Sequence, residues 1–165
     1  MSNSDNEKKA IIVSGTPGTG KTTLSKELVK RFDLEYIDVN EIIKSEKLSD
    51  GFDEKRNCDI IDTEKLNEIL VELILNSNKQ LIIDSHLSHY LPKKYVKLCI
   101  ITKCGLGELK KRLVKRGYDG DKVRENLDSD IFDVCLIDAQ EFGHNVYVVE
   151  TDKEIDYEKI GNKIK

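Results

Sequence analysis

The stretch Gly15-Thr16-Pro17-Gly18-Thr19-Gly20-Lys21-Thr22 fits the pattern G-x-x-x-x-G-K-[ST], which is the phosphate-binding P-loop. Glycine lets such a loop bend tightly, so that backbone N–H groups converge on phosphate oxygens beside a helix N-terminus. Lys21 is then placed to reach the β- and γ-phosphates, and the Thr22 hydroxyl to ligate Mg²⁺. We therefore predict that nucleotide is bound by Gly15, Pro17, Gly18, Thr19, Gly20, Lys21, Thr22 and Thr23.

The flanking sequence supplies the context that this motif requires. Residues Ala10 to Ser14 form a short apolar run that predicts a buried strand. Residues Lys21 to Arg31 predict a helix, because Leu24 and Leu28 lie four apart on one face. The glycine-rich stretch thus lies between a strand and a helix, as phosphate binding demands.

The length and composition indicate a single globular domain that spans residues 1–165. The net charge of −4 gives no electrostatic reason to expect direct binding to nucleic acid. No apolar run approaches the roughly 20 residues of a membrane span, so we expect no membrane partner. The polar segment Met1 to Lys9 resembles neither a signal nor a transit peptide and is interpreted as a frayed tail. The four scattered cysteines favour reduced thiols in an intracellular compartment.

Predicted strands alternate with predicted helices along the chain, which favours a parallel sheet covered on both faces. A helix should begin after the N-cap Asp62, and one long helix should run from Asp121 to about Glu141. The segment from Lys47 to Asp62 is predicted to be irregular. Ligands of such sheets bind at the carboxyl ends of strands, so Gly15 and Asp84 should lie near each other.

An apolar strand, Gln80 to Asp84, ends in a carboxylate. Beside a P-loop, Asp84 is suited to hold Mg²⁺ directly or through water, while an ordinary strand-end aspartate would only cap a turn. His86 follows two residues later and either orients an attacking water or makes one structural hydrogen bond. We interpret His89 and His144 as structural.

A basic helix is predicted from Glu108 to Arg116, in a segment with seven basic and three acidic residues between Gly105 and Arg124. Arg112 and Arg116 lie four apart, so both guanidinium groups are predicted to face a triphosphate. The alternative is a solvated basic face. The acidic stretch Glu46 to Glu68 is either a flap over a second substrate or a plain surface insertion.

Together these pieces resemble the adenylate kinase isoenzyme 6 family, also called coilin-interacting nuclear ATPase. The resemblance covers about residues 10–147. The segments that carry it are GTPGTGKTTL (Gly15–Leu24), YIDVNEI (Tyr36–Ile42), LSDGFDEKRNC (Leu48–Cys58), IIDSHLSH (Ile82–His89) and KRLVKRGY (Lys111–Tyr118).

The resemblance implies a three-layer α/β P-loop nucleoside monophosphate kinase fold with a five-stranded parallel sheet. It implies a monophosphate-binding flap at about residues 39–62 and a short lid at about residues 115–125. Members of that family transfer the γ-phosphate of ATP to AMP or a related monophosphate, with Mg²⁺, and also hydrolyse ATP. They act in maturation of the small ribosomal subunit, where the partner is a ribosomal protein and, indirectly, pre-ribosomal RNA. The implied location is the cytoplasm, with the nucleus added in a eukaryote.

The residues themselves predict catalytic roles for Lys21, Arg112 and Arg116, and metal ligation by Thr22 and Asp84. The resemblance also implies that Arg116 contacts nucleotide, that Asp84 is the acid of the metal site and that His86 is a catalytic residue required for hydrolysis. The chain departs from the pattern in its flap, where an arginine is expected to grip the acceptor phosphate. The candidates for the acceptor site are Asp38, Lys44 and Arg56. Lysine supplies charge without the bidentate fork of arginine.

Two functional hypotheses follow. The first is a kinase that transfers phosphate from ATP to a nucleoside monophosphate. The second is an assembly factor in which ATP binding and hydrolysis switch the affinity for a ribosomal protein. An inert nucleotide sensor is disfavoured, because Lys21, Thr22 and Asp84 are all present.

Overall fold

The computed structural model describes residues 8–55 and 58–165 of the chain. The strands are β1 (Ala10–Ser14), β2 (Leu34–Asp38), β3 (Ser49–Asp53), β4 (Cys58–Ile61), β5 (Gln80–Asp84), β6 (Val96–Lys103) and β7 (Val146–Glu150). The helices are α1 (Lys21–Arg31), α2 (Val39–Ser45), α3 (Thr63–Asn76), α4 (Leu106–Lys115), α5 (Gly120–Ile131), α6 (Val134–Glu141) and α7 (Tyr157–Ile164). Two short 3-10 turns, Ser88–Tyr90 and Lys93–Tyr95, lead into β6.

Five of the strands form one parallel sheet in the order β2-β5-β1-β6-β7. Successive side chains of β1 enter opposite layers. Ile12 packs with residues of α2, α3 and α6 on one face, and Ile11 packs with residues of α1 and α7 on the other. Burial of each such aliphatic side chain stabilises the fold by about 1.5–3 kcal/mol. The three-layer α/β prediction with a five-stranded parallel sheet is confirmed.

The strand register brings three loops together at one edge of the sheet. Val13 pairs with Asp84, and Asp38 also pairs with Asp84, so β1, β5 and β2 end at the same level. Gly15 follows β1 directly. The prediction that Gly15 and Asp84 lie near each other is therefore confirmed, and the site is expected at this edge.

The segment predicted to be irregular, Lys47 to Asp62, instead contains an antiparallel hairpin of β3 and β4. The expectation was wrong because acidic residues interrupt the apolar alternation on which a strand prediction depends. The pairing shifts register between Ser49 and Gly51, and such an irregularity blurs the period of two. Gly51 has φ 153°, a value that glycine adopts readily.

The single long helix predicted from Asp121 to Glu141 is in fact two helices, α5 and α6. The break lies at Phe132 and Asp133, where Asp133 has a left-handed φ of 52°. Aspartate tolerates this conformation better than most residues, and Asp133 forms an ion pair with Lys103 on β6. The apolar period continues through the break, which is why the sequence pattern did not reveal it.

The predicted N-cap at Asp62 is confirmed, and so is the predicted end of the basic helix at Arg116, which is the C-cap of α4. The Asp62 carboxylate accepts a hydrogen bond from the backbone N–H of Lys65 at 3.1 Å, so it caps the start of α3. Gly117 follows the last turn of α4 with φ 82°. In the described part of the chain, no helix is both long and apolar enough to cross a membrane.

Candidate active site

The P-loop between β1 and α1 is held in shape by buried hydroxyl groups. The Thr19 hydroxyl donates to the Thr16 carbonyl at 2.6 Å and bonds to the Thr102 hydroxyl at 2.7 Å. A Cβ atom at Gly15 would lie 2.6 Å from the Thr102 hydroxyl oxygen, so only glycine fits there. Gly18 and Gly20 also have positive φ, of 90° and 93°. These hydrogen bonds and glycine conformations hold the loop in the shape of a cradle.

Lys21 begins α1 and turns back over this cradle. Its ammonium group donates to the carbonyl oxygens of Gly15 at 3.0 Å and Thr16 at 3.2 Å. Burial lowers the pKa of Lys21 to about 8, and the nearby Asp84 carboxylate offsets part of that effect. A polyphosphate beside Lys21 would restore the favourable surroundings that a charged amine needs.

Asp84 at the end of β5 is almost fully buried and accepts two hydroxyl hydrogen bonds on one oxygen. The Thr22 hydroxyl donates to Oδ2 at 2.6 Å, and the Tyr36 hydroxyl donates to the same atom at 2.9 Å. Burial and then the hydrogen bond to Asp84 raise the pKa of Tyr36. A hydroxyl and a carboxylate are oxygen ligands of the kind that Mg²⁺ prefers, so Thr22 and Asp84 fit the predicted metal site.

His86 lines the same cleft, two residues beyond Asp84. Desolvation within the cleft and then the charge of Lys21 lower the pKa of His86 to about 4. The side chain is nevertheless exposed to solvent over more than a third of its area, and this exposure tempers desolvation. A neutral imidazole at pH 7 follows in either case, and it is able to accept or donate one hydrogen bond.

His89 and His144 are instead buried in the wall of the site. His89 Nδ1 lies 2.8 Å from the Ser14 hydroxyl, and His144 Nε2 lies 2.8 Å from the His89 carbonyl oxygen. Desolvation lowers the pKa of His89. These contacts agree with the structural role predicted for both side chains.

The two arginines predicted to face the triphosphate occupy different places. Arg112 donates from Nη1 to the Gly18 carbonyl at 3.2 Å and to the Thr151 hydroxyl at 3.4 Å, and Nε contacts Glu108. It therefore lies against the outer wall of the P-loop. Arg116 lines both the phosphate cleft and a neighbouring cavity of about 430 Å³ that Arg112 also lines. Arg116 therefore lines both the phosphate cleft and the neighbouring cavity, whereas Arg112 lines the cavity and not the cleft.

The cleft around Lys21 has a volume of about 340 Å³ and is also lined by Asp38 and Asn40 from the start of α2. The Asp38 carboxylate accepts from the backbone N–H of Asn40 at 2.9 Å and so caps that helix. Lys44 is exposed on α2 and is not part of the cleft lining. Arg56, the other acceptor candidate, lies outside the described residues.

Comparisons with known proteins agree with this geometry. Residues 11–133 match the family model described as an AAA domain. A putative adenylate kinase from Methanocaldococcus jannaschii is 40% identical over 93% of this chain and 82% of its own length. The adenylate kinase isoenzyme 6 homolog of Schizosaccharomyces pombe is 34% identical over 93% of this chain and 87% of its own. The homolog named FAP7 of Saccharomyces cerevisiae is 33% identical over 92% and 77%.

The chain belongs to the adenylate kinase isoenzyme 6 family. A solved structure of shikimate kinase from Bacteroides thetaiotaomicron shares the fold, with a TM-score of 0.61 at 17% identity over 94% of each chain. Membership of the adenylate kinase isoenzyme 6 family makes this chain an enzyme of the nucleoside monophosphate kinase type that binds nucleotide.

The sequence did not predict that two further residues, Tyr36 and Thr151, contribute to the site of this adenylate kinase isoenzyme 6 family member. Tyr36 contacts Asp84 from the adjacent strand β2, and only the strand order, with β2 beside β5, makes that contact possible. Thr151 follows β7, and its hydroxyl donates to the Thr19 carbonyl at 2.5 Å. A hydroxyl residue directly after a parallel strand is the only signal that the sequence offers for Thr151.

Proposed function

We propose that this chain is a Mg²⁺-dependent adenylate kinase that transfers the γ-phosphate of ATP to AMP or a related nucleoside monophosphate. One observation carries the proposal. A single cleft of about 340 Å³ is lined by Lys21, Thr22 and Asp84, and the same cleft extends to Asp38 at the start of the flap. The phosphate-binding groups and an acceptor side therefore share one space.

Positioning and charge neutralisation supply most of the catalysis in phosphoryl transfer, so no strong general base is required. The P-loop amides and Lys21 bind and orient the donor phosphates. Lys21 has its pKa lowered to about 8 by burial, and phosphate charge beside it favours the protonated amine. The ammonium group then stabilises charge that spreads over the transferred phosphoryl group.

Thr22 and Asp84 would hold the Mg²⁺ that neutralises phosphate charge in this class of enzyme. In the structure the Thr22 hydroxyl donates directly to Oδ2 of Asp84 at 2.6 Å, so the two oxygen groups that would hold the cation lie side by side. Tyr36 keeps the Asp84 carboxylate oriented through its own hydrogen bond. The two groups that would ligate the metal lie on α1 and β5, and the residue that orients Asp84 lies on β2.

The lid, at about residues 115–125, would contribute Arg116 from above the cleft. Arg116 is exposed in the structure and lines the space shared by the phosphate cleft and the second cavity. A lid that moves toward the P-loop would bring this guanidinium group to the phosphates and exclude water. Exclusion of water favours transfer to the monophosphate over hydrolysis.

The flap supports a second candidate function, which is an ATP-dependent switch in small ribosomal subunit maturation. Arg56 is the one arginine in the sequence of the flap at residues 39–62, and Lys44 would supply charge to an acceptor phosphate without a bidentate fork. The neutral His86 in the cleft is suited to orient water for ATP hydrolysis. The partner would be a small-subunit ribosomal protein, in contact with pre-ribosomal RNA, in the cytoplasm or, in a eukaryote, the nucleus.

One assay separates the two functions. Purified protein is incubated with ATP and Mg²⁺, with and without AMP, and both ADP and inorganic phosphate are measured. Two ADP per ATP consumed, formed only with AMP and without free phosphate, would establish the kinase. Phosphate release that does not depend on AMP and that a small-subunit ribosomal protein stimulates would establish the switch and reject the kinase.

A further inference from the structure

The junction between α5 and α6 presents four large apolar side chains to solvent within seven residues. We call this set the junction patch: Ile131 (52% exposed), Phe132 (69%), Val134 (42%) and Ile137 (46%). Phe132 is the most exposed large apolar residue in the described part of the chain. Single exposed apolar residues are ordinary, but a cluster of them with polar surroundings is typical of an interaction surface.

Contacts on the inner side of the α5–α6 junction hold its backbone in place. Asp133 has a left-handed backbone with φ 52°, which is costly for a residue other than glycine. Its carboxylate pairs with Lys103, whose ammonium group also reaches the Asp130 carbonyl at 3.4 Å. Asp130 itself is buried. These contacts fix the break between the helices. Ile131, Phe132 and Ile137 remain exposed, while Val134 is partly exposed and also lines the inner gap behind the P-loop.

The inner side of the junction also lies directly behind the P-loop. Cys135 and Asp130 line a narrow gap together with Gly15 and Thr16. Burial raises the pKa of both the Cys135 thiol and the Asp130 carboxyl. The inner face is therefore occupied by packing against the nucleotide loop, and only the outer face is available to another molecule.

The charge around the patch selects the kind of partner. Residues 126–141 contain five carboxylates and no lysine or arginine. Of these, Asp130 is buried and Asp133 is paired with Lys103, so neither contributes to the outer surface of the patch. Asp128 and Glu141 are exposed on either side of the apolar residues. An acidic rim around an apolar centre is complementary to a basic segment that also carries large apolar side chains.

We propose that the junction patch is a docking surface for a basic amphipathic segment of another protein. The apolar side chains of that segment would cover Phe132 and Ile137, and the lysines or arginines of the segment would face Asp128 and Glu141. A second copy of this chain is a poorer occupant, because a symmetric contact would place the same carboxylates against each other. An anionic partner, such as nucleic acid, would be repelled by the same rim. The proposal shares no residue with the phosphate cleft and stands independently of the kinase proposal.

The test uses a fluorescein-labelled peptide of leucine and lysine, with leucines at helix positions i, i+3, i+4 and i+7. Its binding to the full chain is followed by fluorescence anisotropy. The double variant Phe132→Ser/Ile137→Ser should weaken binding by at least about tenfold. The matched control is Val114→Ser, a residue 57% exposed on α4, which should change binding by less than about twofold. A leucine–glutamate peptide of the same pattern should bind at least about tenfold more weakly than the lysine peptide.

Several results would overturn the proposal. The first is that the lysine peptide does not bind the unmodified chain at concentrations up to about 1 mM. The second is that it binds the double variant and Val114→Ser equally well. The third is that the glutamate peptide binds as tightly as the lysine peptide. A concentration-dependent dimer of the chain, measured by analytical ultracentrifugation and abolished by the double variant, would assign the patch to self-association instead. The charge-reversal variant Asp128→Lys/Glu141→Lys provides a second check, since it should weaken the lysine peptide while the apolar residues stay in place.

Discussion

The P-loop floor, which comprises residues 15–23 together with Thr102, and the flap that carries the β3–β4 hairpin are built differently. In the floor, Thr16, Thr19 and Thr102 are buried and tied together by side-chain hydrogen bonds. In the flap, β3 is exposed along most of its length, and Phe52 on β3 and Ile60 on β4 are about half exposed. Under the kinase proposal, the donor phosphates would bind on the rigid sheet side of the site, while the acceptor side would depend on a small hairpin.

This difference has a physical cause. The floor belongs to the five-stranded sheet, whose core stabilises the loop whatever is bound. A two-stranded hairpin buries little apolar surface and is only marginally stable by itself. Such an element suits a part that closes over substrate, whereas a catalytic cradle requires fixed geometry. Substitutions in the floor should therefore cost rate, and substitutions in the flap should cost affinity for the acceptor.

The largest effect is expected from Lys21→Met. It removes the charge that stabilises the transferred phosphoryl group, so phosphoryl transfer and ATP hydrolysis should both fall by at least about a hundredfold. The melting temperature should not fall, because the native state places this amine where burial lowers its pKa to about 8. Rates come from an ADP assay and stability from thermal melting. Lys30→Met, an exposed change on the same helix, is the control.

A further consequence concerns pH. The unfolded chain holds a proton on Lys21 up to its ordinary pKa of 10.5, while the folded chain releases it near pH 8. Between these values the unfolded state binds more protons, so the Lys21 contribution to stability rises with pH. The stability of Lys21→Met relative to the unmodified chain should therefore decline from pH 8 to pH 10. An unchanged difference across that window would show that Lys21 is not desolvated in the floor.

The next effect is expected from Tyr36→Phe, which removes the second hydroxyl from Asp84 and keeps the ring. The Mg²⁺ concentration for half-maximal activity should rise by about tenfold, because a partner that orients a metal ligand is lost. Binding of Mn²⁺ with ATP, measured by electron paramagnetic resonance, should weaken by a similar factor. Tyr147→Phe on β7 is the matched control. Equal metal affinity in both variants would mean that Thr22 alone orients Asp84.

The sequence predicted the floor well and the flap poorly, for the same reason. The P-loop is a contiguous motif between a clear strand and a clear helix, so local pattern contains its geometry. The contact from Tyr36 to Asp84 depends on strand order, which no local pattern specifies. The hairpin was not predicted because many of its residues are polar. The α5–α6 break was not predicted because Asp133 bends the backbone without interrupting the apolar period.

An intermediate effect is expected from His86→Gln, which keeps a hydrogen-bonding side chain without the imidazole. ATP hydrolysis should fall several-fold while the Kd for ATP changes less than about twofold, since His86 lines the cleft without belonging to the P-loop. In the unmodified chain the rate should show no step near pH 6.5, because the pKa of His86 is lowered to about 4. Protonation in acid would place a second cation beside Lys21. A step near pH 6.5 that disappears in His86→Gln would contradict the lowered pKa.

The smallest effect is expected in the flap, from Lys44→Ala. Lys44 is exposed on α2 and outside the cleft lining, so it can act on an acceptor phosphate only at a distance or after the flap closes. The KM for AMP should rise by about threefold while the KM for ATP and the melting temperature stay unchanged, since an exposed charge contributes little through water. Lys30→Ala, at the far end of α1, is the control for the loss of one positive charge. If Lys44→Ala instead lowered kcat as strongly as a floor substitution does, the flap would have to be part of the preformed site. The distinction between a fixed donor side and a closing acceptor side would then fail.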